Sequence, residues 1–172
     1  GLTRLDLAGS FYGSIDPNLF NKFTSITEFN LGRGGGAYFH PDGNNGNTPL
    51  PNISDTCQTY TAYSNDFRSI DASPSGSLKN IKQLTNLSSL HISGNYYMTD
   101  GGNFSITSDK INYINLASTG LNIPNLAGKT ELQTGYFHYM RSSGGLFTGN
   151  TYKFNNCTQL STLYLYSTNL TG

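Results

Sequence analysis

Groups able to do chemistry are few in this chain and mostly far apart. Its 172 residues hold three histidines (His40, His91, His138) and two cysteines (Cys57, Cys157). No two histidines have metal-ligand spacing, and the cysteines stand 100 positions apart, outside any zinc-type pattern. The string "DGNNGN", Asp42 to Asn47, invites a calcium reading. An EF-hand loop opening at Asp42 needs a bidentate Glu at its twelfth position, where Ile53 stands. "GRGGG", from Gly32, lacks the third glycine of a dinucleotide fingerprint, and Pro41 opposes the helix that fingerprint requires. No cofactor or metal site is expected. With ten basic and ten acidic residues and no net charge, the chain builds no basic face for nucleic acid. Its longest apolar runs fall short of the roughly 18 residues a membrane span needs, and no signal peptide opens it. The polar surface is instead Asn, Ser, Thr, Gly and Tyr, a composition associated with extracellular, cell-surface and virion proteins.

What positions the remaining candidates is a repeat. "LSSLHISGN" places Leu87, Leu90, Ile92 and Asn95 at intervals that fit neither a helix nor an alternating strand. The pattern recurs in "LTRLDLAGS" from Leu2, "ITEFNLGRG" from Ile26, "FRSIDASPS" from Phe67, "INYINLAST" from Ile111, "LQTGYFHYM" from Leu132 and "LSTLYLYST" from Leu160. The seven copies lie mostly about 20 to 28 residues apart, with one far longer interval from Ile26 to Phe67. Around it, residues about 33 to 55 are read as an insertion loop, since Gly and Asn crowd the stretch.

The motif resembles the leucine-rich repeat, L-x-x-L-x-L-x-x-N-x-L, and its "N-x-L" ending survives as "TGL" from Thr119 and "TNL" from Thr168. The resemblance implies a solenoid: a right-handed coil of about seven turns across residues 1–172. Short parallel strands would line its concave face, with an irregular or 3₁₀ convex side and little helix. The alternating leucines of L-x-L face one side of a short strand, and stacking the coils buries them. "PNLFNKF" and "SLKNIKQL" are the segments able to form a helical turn or two. The Asn after the strand normally satisfies backbone groups at the corner. Only Asn95 keeps it in these seven copies; Ser10, Ser75, Thr119 and Thr168 can make part of its bonds, while Gly34 and Met140 cannot. In such an array the two cysteines are separated by several coils and are read as buried free thiols. Neither end carries a polar cap, which suggests a window from a longer protein or ends covered by partners.

Outward positions of the repeat stack into columns. The middle column reads Asp6, Asn30, Asp71, His91, Asn115, Tyr136, Tyr164, and its neighbours add Tyr113, His138 and Tyr166. Asp71 beside His91, ringed by Ser69, Ser73, Ser89 and Ser93, supplies an acid, a base and a hydroxyl. An open sheet offers no oxyanion donors and no exclusion of water, so a plain surface pair is expected and an enzyme is not. Tyr113, Tyr136, His138, Tyr164 and Tyr166 gather on the C-terminal half, where tyrosine combines contact area with a polar tip. Together with His91 and Asp71 they form the candidate ligand-binding set. The function expected is non-covalent recognition of a protein or carbohydrate ligand through the concave face. The alternative is a structural or docking module contacting other chains of a larger extracellular or virion assembly, such as a phage tail or baseplate. Five N-x-S/T sequons (Asn52, Asn86, Asn103, Asn156, Asn169) are no more than this composition supplies by chance.

Overall fold

A computed structural model describes residues 1–9, 15–32, 49–65, 67–70, 76–100, 104–140, 147–148 and 151–168. Within them lie eleven short strands: β1 (Arg4–Asp6), β2 (Glu28–Asn30), β3 (Ile53–Ser54), β4 (Thr59–Thr61), β5 (Leu78–Lys79), β6 (Ser89–His91), β7 (Tyr113–Asn115), β8 (Thr134–Tyr136), β9 (Phe147–Thr148), β10 (Thr151–Tyr152) and β11 (Thr162–Tyr164). Seven of them form one sheet in the order β1-β2-β4-β6-β7-β8-β11. Every neighbouring pair is parallel and in register. Their first residues are 4, 28, 59, 89, 113, 134 and 162, spacings of 21 to 31 residues. Helix is almost absent: among the described residues it amounts to one 3₁₀ turn, Ile81–Gln83, in the second of the two expected segments. The other, around Pro17, makes isolated turns in which Leu19 N–H donates to the Asp16 carbonyl and Phe23 N–H to that of Phe20. No helix among the described residues is long and apolar enough to cross a membrane.

Six of the seven sheet strands fall where the repeat puts them; the third does not. The sheet's third strand is β4, in "CQTYTAYSNDF", with Cys57, Tyr60, Ala62, Asn65 and Phe67 at the five motif positions. Phe67 therefore closes one copy and does not open another. "FRSI" lies away from the sheet, where Ser69 bridges Pro49 on one side and Thr99 on the other. With β4 in place of the Phe67 copy, the spacings on either side become 31 and 30 residues. The correction also moves the columns: Thr61, not Asp71, pairs in register with His91. Asp71, Ser73 and Ser75 lie outside the described residues, as do Ser10, Gly34 and loop positions 33–48 with His40. Residues 50 to 54 at the far end of that loop are buried, and β3 pairs antiparallel with β5.

The inward positions make one core. Phe29, Leu31, Tyr60, Ala62, Leu90, Ile92, Ile114 and Leu116 are all fully buried. A fully buried side chain of this size contributes about 1.5–3 kcal/mol. Tyr60 keeps its polar end satisfied by donating its hydroxyl to the Pro51 carbonyl at 2.9 Å. In the degenerate sixth copy, Gly135 replaces an inward leucine, and Phe137 fills the gap: a Cβ on Gly135 would meet the Phe137 ring at 2.6 Å. Cys57 is buried and Cys157 half-buried, both free. Burial pushes the Cys57 thiol up to about 12, so it is an inert core group.

The corner after each strand is a second repeated device. Two residues past the last inward position the backbone turns left-handed, at Gly9, Ser64, Gly94, Ser118, Tyr139 and Ser167, with φ between 53° and 74°. The next residue is the motif asparagine. Asn95, fully buried, donates through Nδ2 to the carbonyls of Ile92 and Ala62, both at 2.8 Å, and accepts from Phe67 N–H at 3.2 Å. Asn65 likewise donates to the Leu31 carbonyl of the preceding copy at 2.8 Å. Threonine at this position bonds locally: Thr119 Oγ1 donates to the Leu116 carbonyl and Thr168 Oγ1 to that of Leu165, each at 2.7 Å, and Thr119 Oγ1 accepts from Leu121 N–H. Met140 is simply buried there.

Removing Asn95 takes away three hydrogen bonds to buried backbone, and a buried group that loses its bond costs about 1–3 kcal/mol. Asn95→Ala is expected to lower the unfolding free energy by about 3 kcal/mol or more, whereas Asn95→Thr, restoring the bond Thr119 makes, loses less. Urea unfolding measures both losses, and an Asn95→Thr variant as stable as the unsubstituted protein would disprove the cross-copy role of the bonds to Ala62 and Phe67.

Candidate functional site

The sheet has two faces, and the outward one carries every sequence-predicted site residue that the structure describes. Residues i and i+2 of a strand share a face, so each strand offers its first and third residues, and the chain adds one more two positions on. The parallel register aligns these into three columns. On β1 and β2 three of the six are charged, with Arg4 3.5 Å from Asp6 and 3.5 Å from Glu28. Hydrogen bonding from Ala8 N–H is the main cause holding the Asp6 carboxyl below its usual range. A shallow depression of about 210 Å³ between Arg4, Glu28, Asn30, Thr59 and Thr61 lies on this polar end.

From β4 onward the face turns aromatic. Tyr63 stacks on His91, ring centroids 4.7 Å apart and planes 16° apart. His91 meets Tyr113 edge-on at 6.2 Å, and Tyr113 meets Tyr136 at 6.0 Å. Tyr136 then stacks on Tyr164 at 5.0 Å and 12°, and beside them His138 stacks on Tyr166 at 4.7 Å and 14°. Between these two columns the planes are nearly perpendicular, 79° for both Tyr136–His138 and Tyr164–Tyr166. Tyr139 closes the row against His138 and Tyr166. The result is a herringbone of eight contiguous rings. For the Tyr136–Tyr164 and His138–Tyr166 stacks the strand spacing of about 4.8 Å sets the distance, because in-register residues on adjacent parallel strands are held that far apart.

Six of the seven predicted residues, His91, Tyr113, Tyr136, His138, Tyr164 and Tyr166, belong to this row; the seventh, Asp71, lies outside the described residues. The register sets Thr61, not Asp71, beside His91. His91 Nε2 shares a 2.9 Å hydrogen bond with Ser93 Oγ, and its ring neighbours are Tyr63 and Tyr113. Two rings were missed by sequence reasoning. Tyr63 follows the motif's Ala62 and was hidden with the third copy. Its ring lies over Gly32, where a Cβ would come within 2.3 Å of it, so the glycine leaves the space the tyrosine occupies. Tyr139 sits at the left-handed corner (φ 55°), a conformation costly for a bulky residue. Among the described residues no three His, Cys, Asp or Glu side chains gather as a metal site. Of the sequons, Asn52 is fully buried, Asn86 is half-buried and bonded to the Asp55 carbonyl, Asn156 is exposed, and Asn103 and Asn169 lie outside the described residues.

No protein-family model matches the chain, and comparison with curated proteins and with solved structures finds no match. What the face can do therefore rests on its own chemistry. It offers stacked rings, phenol hydroxyls, and the hydroxyls and amides of Ser89, Asn115, Thr134 and Thr162. The rings at the β11 end are the most open, Tyr164 at 43%, Tyr166 at 49% and Tyr139 at 54% exposure.

Burial holds the imidazoles of both His91 and His138 below the ordinary histidine value. The unfolded chain therefore takes up protons first as pH falls. Stability is full above about pH 6.5, drops as pH falls through that value toward the folded pKa, and levels off below it. The lowered carboxyls of Asp6 and Asp109 act only nearer pH 4. His91→Gln is expected to flatten part of the decline between pH 7.5 and 5 in urea midpoints; an unaltered decline contradicts this role.

Proposed function

We propose that the chain is a leucine-rich-repeat solenoid acting as a non-enzymatic recognition module, with a protein or glycan partner bound on its concave sheet face. The repeat reading is supported by seven in-register parallel strands, left-handed corners at one recurrent position, and asparagines bonding across copies. The single observation that carries the function is the unbroken row of eight rings on a solvent-facing sheet. Rings that only filled space would be covered, whereas Tyr139, Tyr164 and Tyr166 are each 43% exposed or more. Aromatic surface left in water costs free energy that binding recovers. The composition supports an extracellular, cell-surface or virion setting.

A second reading has one observation in its favour. Tyr96 and Tyr97, about half exposed, pack edge-to-face at 5.2 Å beyond the end of β6, and the Arg68 guanidinium stands over the Tyr97 ring at 5.1 Å. This cluster off the sheet face suits a docking module within a larger assembly.

Replacing Tyr136, Tyr164 and Tyr166 together by Ala is expected to weaken saturable binding of labelled protein to the surface or extracellular material of its source at least about tenfold, or about 1.4 kcal/mol. The circular dichroism spectrum should stay unchanged. Equal binding by the triple variant, with loss on substituting Tyr96 and Tyr97, would favour the docking reading.

A further inference from the structure

We infer that the occupant of the aromatic half of the sheet is an uncharged carbohydrate chain running across strands β6, β7, β8 and β11. This rests on the recognition reading above and narrows its partner from protein or glycan to one chemistry. Three observations carry it.

The first is charge. All formal charge at the outward column positions sits on the first two strands, in Arg4, Asp6 and Glu28. The fifteen outward positions from β4 to the residues after β11 contain no Asp, Glu, Lys or Arg. Burying a charged partner group against such a face strips its water with no counter-charge to replace it. The two histidines are biased toward the neutral form by burial and do not restore one.

The second is the lack of aliphatic surface. From β6 onward the outward positions are Ser, Thr, Asn, His and Tyr, with Ala117 the one aliphatic side chain. Protein interfaces centre on a densely packed apolar core. Here every ring is flanked by hydroxyls and amides. A pyranose matches that mixture, with C–H faces for the rings and hydroxyls that both donate and accept.

The third is periodicity. Neighbouring rings follow one another at 4.7 to 6.2 Å across the successive strands β6, β7, β8 and β11, diagonally from His91 to Tyr113 to Tyr136 and in register from Tyr136 to Tyr164. A continuous row at near-regular spacing across four strands is complementary to an extended polymer, more than to the irregular surface of a folded protein.

Native electrophoresis of the whole chain through gels containing soluble neutral polysaccharides (a glucan, a galactomannan, an arabinoxylan) tests this, with alginate gels as the acidic counterpart. At least one neutral polymer should retard the protein, and retardation should persist at about 0.5 M salt, where exposed charge interactions are screened. Tyr164→Ala and Tyr166→Ala, truncating the exposed outermost rings, should each raise the apparent Kd about tenfold. Arg4→Ala should leave it unaltered. Thermal midpoints matching the unsubstituted protein confirm that the variants are folded, and Tyr164→Phe, which keeps the ring, should retain most of the binding. Retardation by alginate alone, by no polymer, or equally in the tyrosine variants overturns the inference. The recognition reading fails separately, if the triple tyrosine variant still binds the source material.

Discussion

Three-residue strands bury too little surface and satisfy too few backbone groups to persist alone, so every strand here depends on the copies before and after it. The dependence is visible bond by bond. At each strand's entry two successive N–H groups share one carbonyl of the preceding copy, as Gln58 and Thr59 do on Thr27, and Ser88 and Ser89 on Gln58. At each exit an inward residue donates to the next copy, as Leu31 does to Thr61 and Ala62 to His91. The side chains at the corners extend the same logic: Thr56 donates to the Ile26 carbonyl, Thr85 to Asp55, and Lys110 to Asn86. Stability is thus a sum of neighbour terms, and one well-placed buried asparagine links two of them.

Much of this was legible in the residues. The spacing of Leu87, Leu90, Ile92 and Asn95 sufficed to place β6 and, by analogy, five more sheet strands, because alternation and burial act on any apolar side chain at those positions. The third strand escaped because its inward residues are Cys57, Tyr60 and Ala62, none of them an aliphatic that a pattern search favours. Tyr60 in particular is inward only because Pro51 offers its hydroxyl a carbonyl, a partner from another segment that no local pattern reveals. Phe67 and Ile70 compounded the error, since both are buried and their spacing imitates the motif. The asparagine signal could have decided between them: "CQTYTAYSN" ends on Asn65, whereas the competing segment ends on Ser75.

The candidate face followed the same division. Columns built on correctly placed strands put Tyr113, Tyr136, His138, Tyr164 and Tyr166 together, because parallel in-register pairing leaves no freedom in which residues become neighbours. Asp71 was attached to His91 solely through the misplaced third copy. Once Thr61 takes that place, the register gives no reason to set Asp71 beside His91, and Tyr63 joins the row as one more stacking contact. The chemical character of the surface turns on a single strand assignment.

Tyr139 adds an independent line of reasoning. At the equivalent corners the chain uses Gly9, Ser64, Gly94, Ser118 and Ser167, small residues that take a left-handed backbone at lower cost. A tyrosine in that conformation spends stability of about 1–2 kcal/mol. Its ring does not recover this by burial, being 54% exposed, although it touches His138 and Tyr166. Edge contacts of that kind are worth about 0.5–1.5 kcal/mol beyond area burial, which brings the local balance near zero. A residue that gains the fold nothing yet lengthens the aromatic row at its most open end is what the proposed binding role would select. That supports binding over packing as the reason for the rings.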